Sequence, residues 1–370
     1  SNFRAGVNAG NSIASGGNHN VVVGDEAGTA ITTGDENIAI GYAALDAQVT
    51  GSQNIAIGAN ALGAEASGSY NTAIGREALK TQNGATHNTA IGRTSGMLIT
   101  TGVQNTLVGS AAGDAITTGN YNVAVGDNSL GANTTASNNT AVGKSALTAN
   151  TTGTENVAVG KDALIANTTA NDVTAVGYNS LGANTTGGDN SAFGAYSLDA
   201  NTTGASNTAL GTSALGANTT AANNTAVGYR SLYVNTTGAN NVAVGKGALD
   251  ANTTASDNTA VGQDALGANT TGEQNTAVGL SAGAAITTGD NNTAVGEQSL
   301  VTATTADKNT ALGSRALQYT TTGANNTAVG VSALTANTTA SDNTAVGFSA
   351  LTANTTGSVN TATGALALYT

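Results

Sequence analysis

Residues 141–160 read AVGKSALTANTTGTENVAVG. The segment begins and ends on Ala-Val-Gly, and its two glycines, Gly143 and Gly160, stand seventeen residues apart. The same glycine recurs from Gly24 to Gly364 in unbroken steps of seventeen, twenty-one times in all. One further turn precedes them, because the stretch from Gly6 matches that from Gly24 with one extra residue. The repeat fills the chain, so residues 1–370 are expected to form a single continuous array. Residues 1–23 would be a slightly irregular first coil and 24–370 strict seventeen-residue repeats.

A period this short suits one coil of a solenoid whose neighbours bury what a single coil cannot. The fold class expected is all-β: a β-solenoid, a parallel β-roll of about 22 coils. The turn often alternates TTA and TTG, at Ala136, Gly153, Ala170 and Gly187, which creates a 34-residue super-repeat. Helical 34-residue units are excluded, because each half carries Gly, Asn and paired Thr where a helix would run.

Within a coil the pattern predicts two short strands, N-T-A-V at Asn139–Val142 and A-L-x-A-N at Ala146–Asn150. Side chains alternate faces along a strand, which puts Thr140 and Val142 on one side and Asn139 and Ala141 on the other. The core is then expected to be a Leu column (Leu147, Leu164) with a Val/Ile column (Val142, Val159). Where Leu is missing, Gly replaces it and Ile appears three residues later: Gly10 with Ile13, Gly28 with Ile31, Gly96 with Ile99, Gly113 with Ile116, Gly283 with Ile286. These paired changes keep one large aliphatic side chain per coil, as close packing demands. Ile31 and Ile116 thereby join the expected core. The Ala column (Ala141, Ala158) almost never becomes large or charged, and an Asn column beside it (Asn139, Asn156) is broken only by Val173 after Gly24. Both are expected to form a self-association seam.

Composition narrows the chemistry. Charged residues make up 9% of the chain, against about 25% in ordinary soluble proteins, and Pro, Trp and Cys are absent. Ten Lys and Arg against a net charge of −12 leave no basic stripe for a phosphate backbone, so nucleic acid is not an expected partner. No apolar run approaches the roughly 18 residues that span a bilayer, so no membrane insertion is expected in this segment.

The pattern NTAVGxxALxANTTGxxN resembles the head repeats of trimeric autotransporter adhesins and, more closely, seventeen-residue arrays of the bacterial and phage tail-fibre type. The resemblance covers essentially the whole chain. It implies a left-handed parallel β-roll assembled as a homotrimer, and a rigid shaft or head that positions a binding tip.

Sites for chemistry are few. GLSAG at Gly279–Gly283 fits a nucleophile elbow, yet Ser281 is one member of a repeat column and the only histidines are His19 and His87. VGKS at Val142–Ser145 lacks the leading glycine of a phosphate loop. Asp35, Glu36, Asp189, Asp257 and Asp290 recur near a turn without a calcium-loop pattern. No catalytic residue, metal or cofactor is expected. The function expected is the structural shaft or head of a fibre that is extracellular, on a cell surface or on a virion. Its partners would be copies of itself, as a homotrimer or an end-to-end filament, and a cell-surface glycan or protein receptor. Phe193, Tyr196, Arg230 and Tyr233 depart from the repeat and are the candidate adhesion residues. The alternative is an ice-binding solenoid using stacked Thr columns such as Thr134, Thr151, Thr168 and Thr185.

Overall fold

In a computed structural model, which describes residues 1–369, the chain is an all-β parallel solenoid with one three-residue strand per turn and about 22 turns. No helix occurs among the described residues. The chain falls into two compact units, Ser1–Thr186 and Gly187–Thr370. The first runs from β1 (Phe3–Ala5) to β11 (Thr174–Val176), the second from β12 (Ser191–Phe193) to β22 (Thr361–Thr363).

Within each unit every strand pairs in parallel with the next and in register. Between β9 (Thr140–Val142) and β10 (Val157–Val159), Thr140 faces Val157, Ala141 faces Ala158 and Val142 faces Val159. The extra residue of the first coil survives as a pairing of Phe3 with Val21, eighteen positions on. A strand is short because the backbone turns left-handed on either side of it. Asn138 has φ +62, and Gly143 has φ +138, a region essentially reserved for glycine.

The structure corrects the expected second strand. Residues 144–149 form a run of turns, with Ala146 N–H bonded to the Gly143 carbonyl at 3.3 Å and Asn150 N–H to that of Leu147 at 3.2 Å. Ser145 (φ +59) and Leu147 (φ +52) are both left-handed. The run still hydrogen-bonds to the next coil: Leu147 N–H reaches the Ala163 carbonyl at 3.0 Å and Thr151 N–H that of Thr168 at 2.9 Å. Strand alternation therefore fails here, and the successive residues Ala146 and Leu147 are both fully buried.

The expected core is corrected as well. Leu147, Leu164, Ile31 and Ile116 have no exposure, but Val142 and Val159 are half-exposed on the outer side of the sheet. Ala141, Ala158, Asn139 and Asn156, expected as an intermolecular seam, are fully buried inside a single chain. The interior is narrow. The Leu column already fills it, and the strand wall opposite has room only for a methyl group. In two of the coils where Leu gives way to glycine, the wall grows. A Cβ on Gly113 would lie 2.8 Å from Leu107 Cδ2, and one on Gly28 would lie 3.3 Å from Val22 Cγ1. Leu107 and Val22 are members of the Ala column enlarged to fill that space.

The Gly/Ile exchange has the same geometric cause. Added Cβ atoms on Gly28, Gly113 and Gly283 would meet the Cδ1 of Ile31, Ile116 and Ile286 at 2.8, 2.8 and 3.0 Å. The isoleucine reaches back into the volume a leucine would hold. The glycine also removes strain, because a non-glycine residue in this left-handed region costs about 1–2 kcal/mol. Burying a leucine returns about 1.5–3 kcal/mol, which offsets that cost in the standard coil.

Two buried Asn columns satisfy the polar interior. Asn139 accepts the Asn156 N–H through Oδ1 at 3.1 Å and donates Nδ2 to the Gly153 carbonyl at 2.9 Å. In the other column Asn150 donates to Asn133 Oδ1 at 3.3 Å and Asn167 to Asn150 Oδ1 at 2.9 Å. Ile286 ends that ladder in the second unit, which leaves Asn269 Oδ1 buried without a partner. Glu65 takes an Asn position and is fully buried. Its carboxylate accepts the N–H groups of Ser67 at 3.0 Å, Gly68 at 2.5 Å and Gly84 at 2.8 Å, and Nε2 of Gln82 at 2.9 Å. Four donors around one carboxyl group satisfy the polar atoms that burial takes out of water.

Candidate functional site

Two surfaces depart from plain packing. The first is the outer face of the strands. The middle residue of each strand points inward, so the first and third point out, as in the half-exposed Thr140 and Val142, Val157 and Val159, and Thr174 and Val176. This face is a double column of Thr, Val and Ile, β-branched residues that suit a pleated sheet. Thr140, Thr225 and Thr259 face outward half-exposed, and among the described residues no hydrogen bond of their hydroxyls is found. The turn threonines differ: Thr151 Oγ1 donates to the Thr168 carbonyl at 3.1 Å, and Thr168 Oγ1 to that of Thr185 at 3.1 Å. They lie at a bend, and their hydroxyls are committed along the stack.

The second surface is a cleft of about 480 Å³ in the second unit, lined by Tyr196, Asp199, Ala200, Ser213, Gly216, Ala217 and Tyr233. Its origin is legible once the columns are aligned. Tyr196, Ser213 and Arg230 each stand two residues after the repeat glycine; Asp199, Gly216 and Tyr233 stand five after it. The left-handed turn brings these two columns side by side on the surface. Large residues on one coil and on the next but one enclose Ser213 and Gly216 between them, leaving a notch one coil wide, about 5 Å.

The walls of the notch are held in place. The Arg230 guanidinium lies over the Tyr233 ring, 4.3 Å from its centroid, and Arg230 Nη2 lies 3.6 Å from Asp250 Oδ1. An added Cβ on Gly216 would lie 3.1 Å from the Tyr233 ring and 3.5 Å from Asp199 Oδ1, so the glycine is what keeps the space open. Arg230 Nε and Asp250 Oδ1 are buried without hydrogen-bond partners. Burial pushes the Asp199 carboxyl above its ordinary value, partly offset by a hydrogen bond to its own backbone.

The structure thus gathers three of the four candidate adhesion residues, Tyr196, Arg230 and Tyr233. Phe193 stands apart, 41% exposed on the outer strand face beside Leu210. Asp199, Gly216 and Ser213 were missed by the sequence reading, and the signal for them was the large-small-large order down two adjacent columns. Ser281 sits in the same column as Ser213, with φ +52. Among the described residues no three His, Asp or Glu side chains gather where they could hold a metal ion, and no helix is long and apolar enough to cross a membrane.

Asp46, Asp114, Asp199 and Asp250 share the column five residues after the glycine, and burial pushes each above its ordinary value near 3.8. A raised carboxyl binds more protons folded than unfolded between 3.8 and its folded value. Stability is therefore expected to be highest below that window, to fall as pH rises through it, and to level off above it. Thermal melts across this range should show the fall, and Asp114→Asn should flatten it. A slope unchanged in Asp114→Asn would count against the assignment.

No protein-family model matches the chain, and no curated protein matches it. What the fold itself defines is a repeat protein of the parallel β-solenoid class.

Proposed function

We propose that this chain is the structural shaft or head of an extracellular fibre, and that copies of it associate through the outer face of their strands. The observation that carries the reading is the double Thr/Val/Ile column, half-exposed on strand after strand within each unit. Apolar β-branched residues repeated along a flat face favour burial against another surface. The self-association reading survives the loss of the Ala seam, because the seam moves to the opposite side of the same strand. Three copies are what the resemblance implies. In-register backbone ladders supply the stiffness that such a shaft needs.

Light scattering coupled to size exclusion tests this directly. The mass expected is about three times the 35.5 kDa chain, or larger. Replacing Val125, Val142 and Val159 together by Glu should return it to that of a single chain while leaving far-UV circular dichroism intact. A wild-type monomer would overturn the proposal.

A second reading rests on the free hydroxyls of the strand threonines. Thr225 and Thr259, interleaved with methyl groups on the outer strand face of the second unit, favour an ice-binding face over the turn threonines expected from sequence. Thermal hysteresis from a monomer would establish that reading in place of the fibre.

A further inference from the structure

We propose that the notch between Tyr196 and Tyr233 is a binding site for a neutral hexopyranose, the terminal residue of a glycan. This deepens the fibre reading and rests on it for its biological setting, but the chemistry stands on the cleft itself. A pyranose ring presents an apolar face of C–H groups and a rim of hydroxyls that both donate and accept. Its recognition calls for an aromatic wall beside a few fixed polar groups. Tyr196, 42% exposed, supplies the wall. Asp199 supplies acceptors for two hydroxyls, and Ser213 supplies a donor and an acceptor on the floor. The buried Arg230 Nε, without a hydrogen-bond partner, belongs to the guanidinium that covers the Tyr233 wall.

Charge decides between a sugar and a cation. Two tyrosines and a carboxylate could also form a cage for a quaternary ammonium group. Here, however, one face of Tyr233 is already covered by the Arg230 guanidinium. A second cation would meet that positive charge at short range, whereas a neutral polyol would not. An anionic sugar is disfavoured in turn by Asp199 and by the chain's net charge of −12.

The notch is also of the right size for one ring. Its width is set by the single small coil of Ser213 and Gly216, and its volume of about 480 Å³ admits a monosaccharide at the end of a chain. A site this open and this small predicts weak binding per copy, with dissociation constants of about 0.1–10 mM, a range of about −5.5 to −2.7 kcal/mol. Repetition of the site on several copies in one fibre would raise the effective affinity without new contacts.

The test uses saturation-transfer NMR and titration calorimetry on the full chain. The probes are the methyl glycosides of glucose, galactose, mannose and N-acetylglucosamine, with choline as the cationic comparison. At least one glycoside is expected to bind. Tyr196→Asn, which keeps a residue tolerant of the left-handed backbone at φ +56, and Gly216→Leu, which fills the notch, should each weaken it at least tenfold. Tyr42→Ala, at an exposed tyrosine in the other unit, should leave binding unchanged. Circular dichroism confirms that each variant is folded. Absence of saturation transfer at 10 mM glycoside, binding indifferent to both cleft variants, or binding of choline alone would each overturn the proposal. The mass measurement is independent: a monomer that binds sugar overturns the fibre and keeps the site, while an oligomer that binds none does the reverse.

Discussion

Replacing Gly143 by alanine is expected to destabilise the first unit by about 3–5 kcal/mol, an exceptional loss for a single methyl group. At φ +138 the backbone lies where an L side chain is strained by about 1–3 kcal/mol before any contact is considered. The added Cβ would also stand 2.6 Å from the Gly160 carbonyl carbon, closer still to its oxygen, and 3.1 Å from Lys161 N. Those atoms are backbone of the next coil, so no side chain can swing away. The coils would have to part, and the hydrogen bonds on either side, Gly143 N–H to the Val125 carbonyl at 2.7 Å and Gly160 N–H to that of Val142 at 2.8 Å, would lengthen with them. In a stacked array each coil is stabilised mainly by its neighbours, so damage at one junction is felt by the coils beside it. Chemical denaturation should show a lower midpoint, and hydrogen exchange should show the loss centred on residues 126–160. Gly63→Ala is the control: its backbone is not left-handed, its nearest contact would be the Asn60 carbonyl oxygen at 3.3 Å, and its column elsewhere holds Thr148 and Ile165. It should change stability by less than about 0.5 kcal/mol. Equal effects at the two positions would refute the steric account.

The second large effect is a rescue. Leu147→Gly alone removes the one large core side chain of its coil and should cost about 3–5 kcal/mol, the range for truncating a buried leucine. Asn150→Ile alone should cost about 2–4 kcal/mol. It overpacks the space Leu147 already fills, and it removes the Asn150 bonds to Asn133 Oδ1 and to the Gly153 carbonyl. Together the two changes recreate the arrangement of Gly113 with Ile116, where the isoleucine occupies the leucine's volume and the glycine carries the left-handed turn without strain. The double variant is expected within about 2 kcal/mol of the original chain. A double-mutant cycle by denaturant titration should then give a favourable coupling of at least about 3 kcal/mol. Additive losses would mean that the five exchanges in the sequence have some cause other than shared volume.

The placement of the two candidate surfaces follows from the same interior. Because the coil holds one leucine, its alanines and two asparagines, the interior admits few larger departures, such as Leu107, Val22 and the fully hydrogen-bonded Glu65, and most others stand on the outside. Tyr196, Arg230 and Tyr233 are such departures, and the notch between them exists because Ser213 and Gly216 do not fill it. The outer strand columns are likewise what remains once Ala141 and Asn139 have turned inward.

By itself the sequence determined the period, the coil count, the in-register parallel pairing and the constancy of core volume. Each of these is a property of repetition: identical residues seventeen apart can stack only on one another, and Gly28 with Ile31 or Gly113 with Ile116 reports a space whose size does not change. What only the tertiary structure decided was direction. Alternation along Thr140, Ala141 and Val142 defines two faces without saying which is inside, and valine is ordinarily the better core residue. The answer depends on the opposite wall, where Leu147, held at φ +52, fills the narrow interior and leaves room for a methyl group alone. The enlarged members Leu107 and Val22, each beside a coil with glycine for leucine, carried that information, but only to a reader who already knew that the two columns touch. The same left-handed turn brings Tyr196 beside Asp199 and Arg230 beside Tyr233, because a backbone that turns at successive residues does not obey the alternation of a strand.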